Sequence, residues 1–294
     1  MDFYLNKLVI IGVGLIGGSF ALALREAGAA REIVGVGRSA GNLEEALRLG
    51  VIDRIAPDAA EAVRNADLVM LAVPVGQMAA LMQQIAPCLG AHTVVTDAGS
   101  TKGDVVALAR RHLPQHLASF VPGHPIAGAE KSGVGAADAG LFRGRQIVLT
   151  PLPETDARAA ELALNAWQAC GARVAEMTPE NHDRIFAAVS HLPHLLAFAL
   201  VEDIASRANG EELFSFAAGG FRDFTRIAGS SPEMWRDIFL ANREPLLDEL
   251  DLYRAQLDRL RAMLEQGDGA ALERLFSHAR AARAQWLSAK QDAQ

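Results

Sequence analysis

Four short stretches of the sequence carry side chains that could move a proton or hold a carboxylate. They read G-H-P-I-A-G at 123–128, N-H-D at 181–183, S-H-L-P-H at 190–194 and D-F-T-R-I-A at 223–228. A neutral imidazole near pH 7 is well suited to accept the proton of an alcohol. The planar guanidinium of an arginine can make two parallel hydrogen bonds to a carboxylate. These residue types therefore predict a site that can take a proton from a hydroxyl group and anchor an acidic group.

Two of these histidines, His191 and His194, also resemble a metal-binding pair. Pro193 lies between them, and no third ligand with recognisable spacing accompanies them. Since a zinc site needs at least three protein ligands, we expect no metal here.

A glycine-rich motif near the start of the chain predicts a dinucleotide site. The motif G-x-G-x-x-G runs from Gly12 to Gly17 directly after an apolar run, and it encloses Leu15 and Ile16. In such a motif the first glycine makes the tight turn, the second (Gly14) lets the backbone approach a pyrophosphate, and the third packs helix against strand. The amides at the start of the following helix would then face the phosphates.

The end of the next predicted strand bears on which dinucleotide binds. An acidic residue there would bind a ribose hydroxyl and repel a 2′-phosphate, but the sequence has Gly37, Arg38 and Ser39 instead. Because Arg38 and Ser39 can both bind a phosphate, the sequence favours NADP over NAD. The alternative is that Arg38 stacks on the adenine from a solvated loop, which would permit either cofactor.

Two further loops are expected at the same edge of the sheet. Val73, Pro74 and Ser100 follow predicted strands and are candidates to border the nicotinamide, since ligands bind beyond the carboxyl ends of such strands. Thr101 has the commoner alternative role of a helix cap.

The elements that must position these residues fall into two regions. Up to about residue 177, apolar runs alternate with helical patterns, which predicts a doubly wound, Rossmann-type parallel sheet in an α/β domain at 1–177. The runs are Lys7–Ile11, Ile33–Gly37, Leu68–Val73, Thr93–Asp97, Gln146–Thr150 and Arg173–Met177.

From residue 178 onward the pattern is helical, which predicts an all-α domain at 178–294. Two long amphipathic helices are expected at 233–265 and 269–290. Their apolar stripes, such as Leu246, Leu250 and Leu257, need a partner. Packing within one helical domain would cover them, and so would a homodimer interface.

Composition excludes several classes of protein. Lys and Arg number 28 against 35 Asp and Glu in 294 residues, so the net charge of −7 has the wrong sign for nucleic-acid binding. The two cysteines, Cys88 and Cys170, fit neither a disulfide framework nor a zinc cluster, which favours the cytoplasm. Residues 8–24 carry no charge, but their four glycines favour strand, turn and helix over a signal peptide or membrane span.

In combination, the G-H-P-I-A-G, S-H-L-P-H and D-F-T-R-I-A stretches resemble the prephenate dehydrogenase family, which also includes arogenate and cyclohexadienyl dehydrogenases. The resemblance spans nearly the whole chain. It implies that His124 is the catalytic base for the ring hydroxyl and that Ser100 hydrogen-bonds both that histidine and the hydroxyl. It also implies that Arg226 holds a substrate carboxylate, although Arg226 could instead pair with Asp223 or cap a helix.

The resemblance implies four further site residues. His194 and Asp183 match polar residues near the substrate, Glu130 matches a gating or pH-sensing carboxylate, and Trp235 matches a residue that is contributed across a dimer. One position departs from the family pattern, because Ala129 stands where relatives often carry a hydroxyl.

The implied activity is NAD(P)-dependent oxidative decarboxylation of prephenate, a small-molecule substrate, by a homodimer in tyrosine biosynthesis. A β-hydroxyacid or imine-reducing dehydrogenase would share the glycine motif but not the histidine stretches, and a non-catalytic dinucleotide sensor would bind cofactor without turnover. Arogenate, which the same reaction would convert to tyrosine, is the alternative substrate that the resemblance allows.

Overall fold

The computed structural model describes residues 3–128 and 131–291. The chain divides into two compact units, Met1–Arg243 and Glu244–Gln294. Among the described residues, every strand lies in the first unit, and so do the residues that the sequence assigns to the site.

Nine strands form two sheets in the first unit. They are β1 (Leu5–Ile11), β2 (Ala30–Val36), β3 (Arg54–Ile55), β4 (Leu68–Leu71), β5 (Val94–Asp97), β6 (Phe120–Val121), β7 (Gly123–Pro125), β8 (Gln146–Leu149) and β9 (Arg173–Glu176). The larger sheet is parallel throughout, in the order β3-β2-β1-β4-β5-β6. This is the strand order of a doubly wound dinucleotide-binding sheet, so the predicted fold is confirmed.

Alternation along the central strands builds a core on each face of this sheet. Leu8 and Ile10 of β1 belong to one cluster of buried apolar side chains, and Val9 and Ile11 belong to the other. Helices cover both faces, which is why these strands read as continuous apolar runs in the sequence.

The carboxyl ends of the strands are level with one another. Ile11 pairs with Val36 on one side and with Leu71 on the other, and Leu71 pairs with Asp97. The loops that follow β1, β2, β4 and β5 therefore start at one edge of the sheet. The order of strands reverses between β1 and β4, which is where such sheets bind ligands.

The last two predicted strands do not join the large sheet. β8 and β9 pair in parallel with each other, and β7 pairs antiparallel with β8, so the three form a separate small sheet. β7 was not predicted from the sequence, because a strand of three residues with a histidine at its centre shows no run of apolar residues. This strand matters because it carries His124.

Thirteen α-helices complete the described residues. They are α1 (Leu15–Glu26), α2 (Ala40–Arg48), α3 (Ala59–Ala62), α4 (Val75–Ile85), α5 (Gly103–His112), α6 (Ala157–Ala169), α7 (Pro179–Phe186), α8 (Leu192–Ala205), α9 (Gly210–Ser215), α10 (Gly219–Thr225), α11 (Pro232–Ala241), α12 (Arg243–Glu265) and α13 (Gly269–Gln291). The predicted helix at 233–265 is two helices, because α11 ends at Ala241 and Asn242 is its C-cap.

A five-residue π-helix, Ala187–His191, joins α7 to α8. The continuous helical stretch Pro179–Ala205 is long and apolar enough to cross a membrane by length and composition. This is weak support for a membrane span, since core helices pass the same test. The stretch carries His182, Asp183, His191 and His194, all of which lie in the site described below.

Candidate active site

The glycine motif has the shape that a pyrophosphate needs. Gly12 has φ +101°, and a Cβ atom placed there would lie 2.4 Å from the carbonyl oxygen of Ala72. A Cβ on Gly17 would lie 2.3 Å from the carbonyl oxygen of Gly12, so only glycine allows this close approach of helix to strand. Around Gly14 there is open space within 4 Å, and no side chain caps α1. The loop therefore leaves room for a phosphate, and the first amides of α1 are free to bind it.

The end of β2 carries the residues expected at the adenosine ribose. Arg38 and Ser39 are exposed, and no acidic side chain stands between Val36 and α2. The hydroxyl of Ser39 accepts a hydrogen bond from the amide of Asn42 at 3.3 Å and so caps α2. Asn42 in turn donates to the carbonyl of Val13 at 2.7 Å, which ties the start of α2 to the glycine loop.

The loops after β4 and β5 reach the same edge. Val73 lies against Gly12, and Pro74 precedes the first residue of α4. Ser100 is half-buried between β5 and α5. Thr101 is buried and does not cap α5, because the first amides of that helix bind a different side chain.

The residue that caps α5 is Asp183, from α7. One carboxylate oxygen accepts from the amide of Lys102 at 2.8 Å, and the other accepts from the amide of Gly103 at 2.7 Å. Asp183 is buried, and its carboxylate binds protein groups. The resemblance placed it near the substrate, but its carboxylate is turned to α5 and to its neighbour in sequence.

That neighbour links Asp183 to the expected base. Nδ1 of His182 lies 2.8 Å from Oδ1 of Asp183, and Nε2 of His182 lies 2.8 Å from Nδ1 of His124. Phe186 packs against both imidazoles, with ring centroids 4.8 Å from His124 and 4.4 Å from His182. We call His124, His182 and Asp183 the His–His–Asp triad.

The backbone of His124 is held by a buried ion pair at the preceding residue. Nζ of Lys102 lies 2.5 Å from Oδ2 of Asp97 and donates to the carbonyl of Gly123 at 2.7 Å. The other oxygen of Asp97 accepts from the amide of Gly123 at 3.1 Å. Both peptide groups of Gly123 are thus fixed, and a Cβ there would lie 2.9 Å from the carbonyl of Asp97.

Burial and neighbouring charges keep the histidines neutral. Desolvation, followed by the charges of His182 and Lys102, holds the pKa of His124 well below its usual range. Desolvation also lowers the pKa of His182. Burial alone would raise the pKa of Asp183, but the hydrogen bonds from His182 and the amides of α5 lower it. Near neutral pH the triad therefore holds two neutral imidazoles and one carboxylate.

A second group of site residues surrounds His194 in α8. Its ring stacks on Trp235 of α11 with centroids 3.6 Å apart, and its Nδ1 donates to the carbonyl of Ser190 at 2.9 Å. Desolvation lowers the pKa of His194, and the positive charge of Arg226 lowers it further. Arg226 therefore lies near His194, while Asp223 pairs with Arg222.

Trp235 is buried within the chain that carries it. Among residues 3–128 and 131–291, its indole Nε1 has no hydrogen-bond partner. The predicted contribution of Trp235 across a dimer is not needed to bring it to His194, and it stays a prediction. Glu130 and the departure at Ala129 lie outside the described residues.

Three parts of the site were not assigned from the sequence: His182, the Asp97–Lys102 pair and Asn242. The amide nitrogen of Asn242 donates to the carbonyl of Asp183 at 2.8 Å and lies 3.0 Å from Nδ1 of His191. The stretches around His182 and Lys102 were visible in the sequence, but His124 lies 58 residues from His182, and the Gly123 carbonyl that Lys102 binds lies 21 residues from Lys102. Within residues 3–128 and 131–291, no group of three or more potential metal ligands is arranged to hold a metal ion.

Comparison with known proteins identifies the family of this chain. A family model described as the nucleotide-binding domain of prephenate dehydrogenase matches residues 20–176, and one described as its dimerization domain matches residues 178–278. Prephenate dehydrogenase of Bacillus subtilis is 41% identical over 277 residues, which cover 94% of this chain and 74% of that protein. Cyclohexadienyl dehydrogenase of Zymomonas mobilis is 36% identical over 280 residues, 95% of each chain.

A solved structure is similar over the same extent. The crystal structure of prephenate dehydrogenase from Aquifex aeolicus, in complex with hydroxyphenyl propionate and NAD+, matches with a TM-score of 0.91 and 36% identity. The match covers 97% of this chain and 99% of that one. Since both family models and these relatives cover most of the sequence, the chain belongs to the prephenate dehydrogenase family.

Proposed function

We propose that this protein oxidatively decarboxylates prephenate to 4-hydroxyphenylpyruvate with a nicotinamide dinucleotide. The observation that carries the proposal is the hydrogen bond from His124 to His182 beside the carboxyl edge of a dinucleotide-binding sheet. His124 is the base, Ser100 hydrogen-bonds that base and the substrate hydroxyl, and Arg226 binds the acidic end of the substrate. His194 lies beside Arg226 on the substrate side.

The tautomers follow from the acceptor at the end of the triad. An ionised Asp183 can only accept, so Nδ1 of His182 carries the proton and its Nε2 is an acceptor. Nδ1 of His124 must then donate, which leaves Nε2 of His124 unprotonated. That nitrogen can take the proton of a ring hydroxyl, a step that commonly contributes about 10² to 10⁴ in rate.

A bound nicotinamide would accept the hydride from the ring carbon that bears this hydroxyl. Gly12, Gly14 and Gly17 with Leu15 and Ile16 would hold its pyrophosphate. Val73, Pro74 and Ser100 would border its redox ring. Once the ring alcohol is oxidised, loss of carbon dioxide is driven by aromatisation, so the protein has mainly to align the substrate.

The test is nicotinamide reduction followed at 340 nm with prephenate and with arogenate. We expect turnover of prephenate by the wild-type protein. We expect His124→Asn to lower kcat by about 10³-fold, because the base is removed, with the Kd for cofactor nearly unchanged. Binding of cofactor without turnover of either acid would mean a sensor, and ordinary turnover by His124→Asn would remove the assigned base.

We propose further that NADP is the preferred cofactor and that Arg38 with Ser39 binds its 2′-phosphate. The support is an exposed Arg38 at the end of a strand that lacks an acidic residue. A charge-assisted hydrogen bond of this kind contributes about 1.5 to 3 kcal/mol.

Arg38→Ala should therefore raise the Kd for NADP by roughly 10- to 100-fold and that for NAD much less. Cofactor fluorescence titration measures both constants, and Arg48→Ala, at the exposed end of the helix α2 that follows Arg38, is the matched control. Equal losses for the two cofactors would favour stacking of Arg38 on the adenine.

The proposed assembly is a homodimer through the helical region, in the cytoplasm. The match of residues 178–278 to a dimerization domain supports the first part, and the sequence has two cysteines, neither of which is in a disulfide, in keeping with the second.

A further inference from the structure

We infer that His182 is a positioning residue for the base, holding His124 in the tautomer whose Nε2 is free to accept a proton. The inference rests on the proposed function of His124. It adds a residue that the resemblance did not assign and gives Asp183 a supporting role in place of substrate binding.

Geometry singles out His182 because it is the partner of the one ring nitrogen that the base does not need for chemistry. A neutral imidazole distributes its proton between Nδ1 and Nε2, and the hydrogen bond made by one nitrogen decides which tautomer is present. The 2.8 Å contact from Nδ1 of His124 to Nε2 of His182 therefore selects the Nδ1–H form.

His182 can do this only if its own ring is fixed. Its side chain is fully buried, and its Nδ1 is held by Asp183. Asp183 is fixed in turn by two amides at the start of α5, and the carbonyl of the same residue accepts from Asn242. The triad thus ends on the backbone of two helices and has little freedom to rotate.

The surroundings also disfavour a second proton on the triad. Lys102 is buried close by, and His191 is the other titratable group that acts on His124. Each opposes a positive charge on His124, while Asp183 and Asp97 favour one on His182. Burial disfavours a second proton on either ring more strongly than these charges act, so both rings are neutral and their hydrogen bonds set the tautomer.

A purely structural role for His182 is the competing explanation, because its ring also packs on Phe186. Two substitutions separate the possibilities. His182→Phe keeps an aromatic ring of similar size but removes the acceptor for His124. His182→Gln loses the ring but can place an amide oxygen where Nε2 was. His116→Phe, at a half-buried histidine that binds the carbonyl of Ala86, is the matched control.

We expect His182→Phe to lower kcat for prephenate by about 100-fold. Removing the hydrogen-bond partner that orients a functional histidine commonly lowers activity on this scale. His182→Gln should recover at least about tenfold of that loss, since the acceptor is restored. KM for both substrates should stay within about threefold, because neither variant touches them. His116→Phe should have ordinary kcat.

Nitrogen-15 NMR of the histidine side chains provides a readout that does not depend on the substrate. Wild-type protein should show His124 as the Nδ1–H tautomer, and His182→Phe should shift it to a mixture or to Nε2–H. His182→Gln should keep the wild-type tautomer.

The inference is overturned if His124 keeps its tautomer in His182→Phe, or if His182→Phe turns over within twofold of wild type. A better kcat for His182→Phe than for His182→Gln would also overturn it, since packing would then matter more than the acceptor. Failure of the proposed function is a separate result, namely no turnover of prephenate or arogenate by wild type while the tautomers behave as expected.

Discussion

At the scale of single residues, the site is a group of histidines that the fold keeps uncharged. His182 and His191 are almost fully buried. The Nδ1 atom of each is hydrogen-bonded to a neighbouring side chain, Asp183 for His182 and Asn242 for His191. A buried imidazole that must stay neutral is useful as a base, but it also makes the folded state sensitive to acid. The same burial that prepares the chemistry therefore limits the pH range of the fold.

His191 gives this sensitivity a defined range. Burial lowers its pKa to about 4, from 6.5 in an unfolded chain, and its Nδ1 faces the amide nitrogen of Asn242. Below pH 6.5 the unfolded state binds the proton first, so stability is full above pH 6.5 and falls down to about pH 4. The loss should reach up to about 1.4 kcal/mol per pH unit for each such histidine.

Urea unfolding at pH 7.5, 6 and 5 measures this slope. His191→Asn keeps an acceptor near the Nδ1 position but cannot titrate, so its free energy of unfolding should fall less steeply than that of wild type. Identical slopes for the two proteins would show that His191 is not a source of the acid sensitivity.

Residues of the site could be predicted from the sequence where a contiguous motif carries them. Gly12, Gly14 and Gly17 needed only their spacing after an apolar run, and His124 could be named because its stretch resembles a family. His182 could not be assigned, because the contact that gives it a role spans 58 residues and joins a strand to a helix. A histidine next to an aspartate is by itself compatible with a solvated pair.

At the scale of elements, the short strand β7 depends on groups from its neighbours. It pairs with β8 along one side only, and its first residue is bound by Asp97 at the end of β5 and by Lys102 before α5. The position of the base is therefore set by a buried ion pair more than by a sheet. A buried pair contributes little net stability, but removing one partner leaves an uncompensated charge.

Lys102→Met should accordingly destabilise the protein by about 3 to 5 kcal/mol, because the carboxylate of Asp97 is left buried without a counter-ion. Lys102→Met/Asp97→Asn should be more stable than the single variant, since the unpaired charge is gone. The exposed pair of Arg110 and Glu154 is the control, and Arg110→Met should change stability by less than about 1 kcal/mol.

Urea unfolding measures the free energy of unfolding of each variant. If Lys102→Met is no more destabilising than Arg110→Met, the pair at β5 does not hold the strand as described.

The elements themselves were predictable where the pattern is long. The apolar runs of β1, β2, β4 and β5 follow from burial on both faces, and the parallel order follows from the helices between them. β3, β6 and β7 have two or three residues each and give no periodicity to read. The assignment of β8 and β9 to the large sheet was wrong, because strand pairing is decided by tertiary packing and not by local sequence.

At the scale of the whole molecule, the helical region exposes more apolar surface than a lone chain would favour. Leu192 and Ala197 are the buried residues of α8, although most of its positions are apolar. Elsewhere in the helical region, Val189 is 67% exposed, Phe216 83% and Leu240 66%. A helix that is apolar on most sides is normally buried, so its exposed apolar side chains need a partner. The occupant that we propose is a second copy of the chain.

The combined variant Phe216→Arg/Leu240→Arg should therefore shift the protein from two chains to one in sedimentation velocity, because it places charge in the proposed interface. Leu47→Arg on α2 makes the same chemical change at an exposed leucine outside the helical region and should leave two chains associated. A wild-type protein that sediments as a single chain at micromolar concentration would refute the dimer. So would a combined variant that stays as associated as the control. If the monomer keeps the tautomer of His124 but loses turnover, the second chain acts on the substrate side of the site and not on the base.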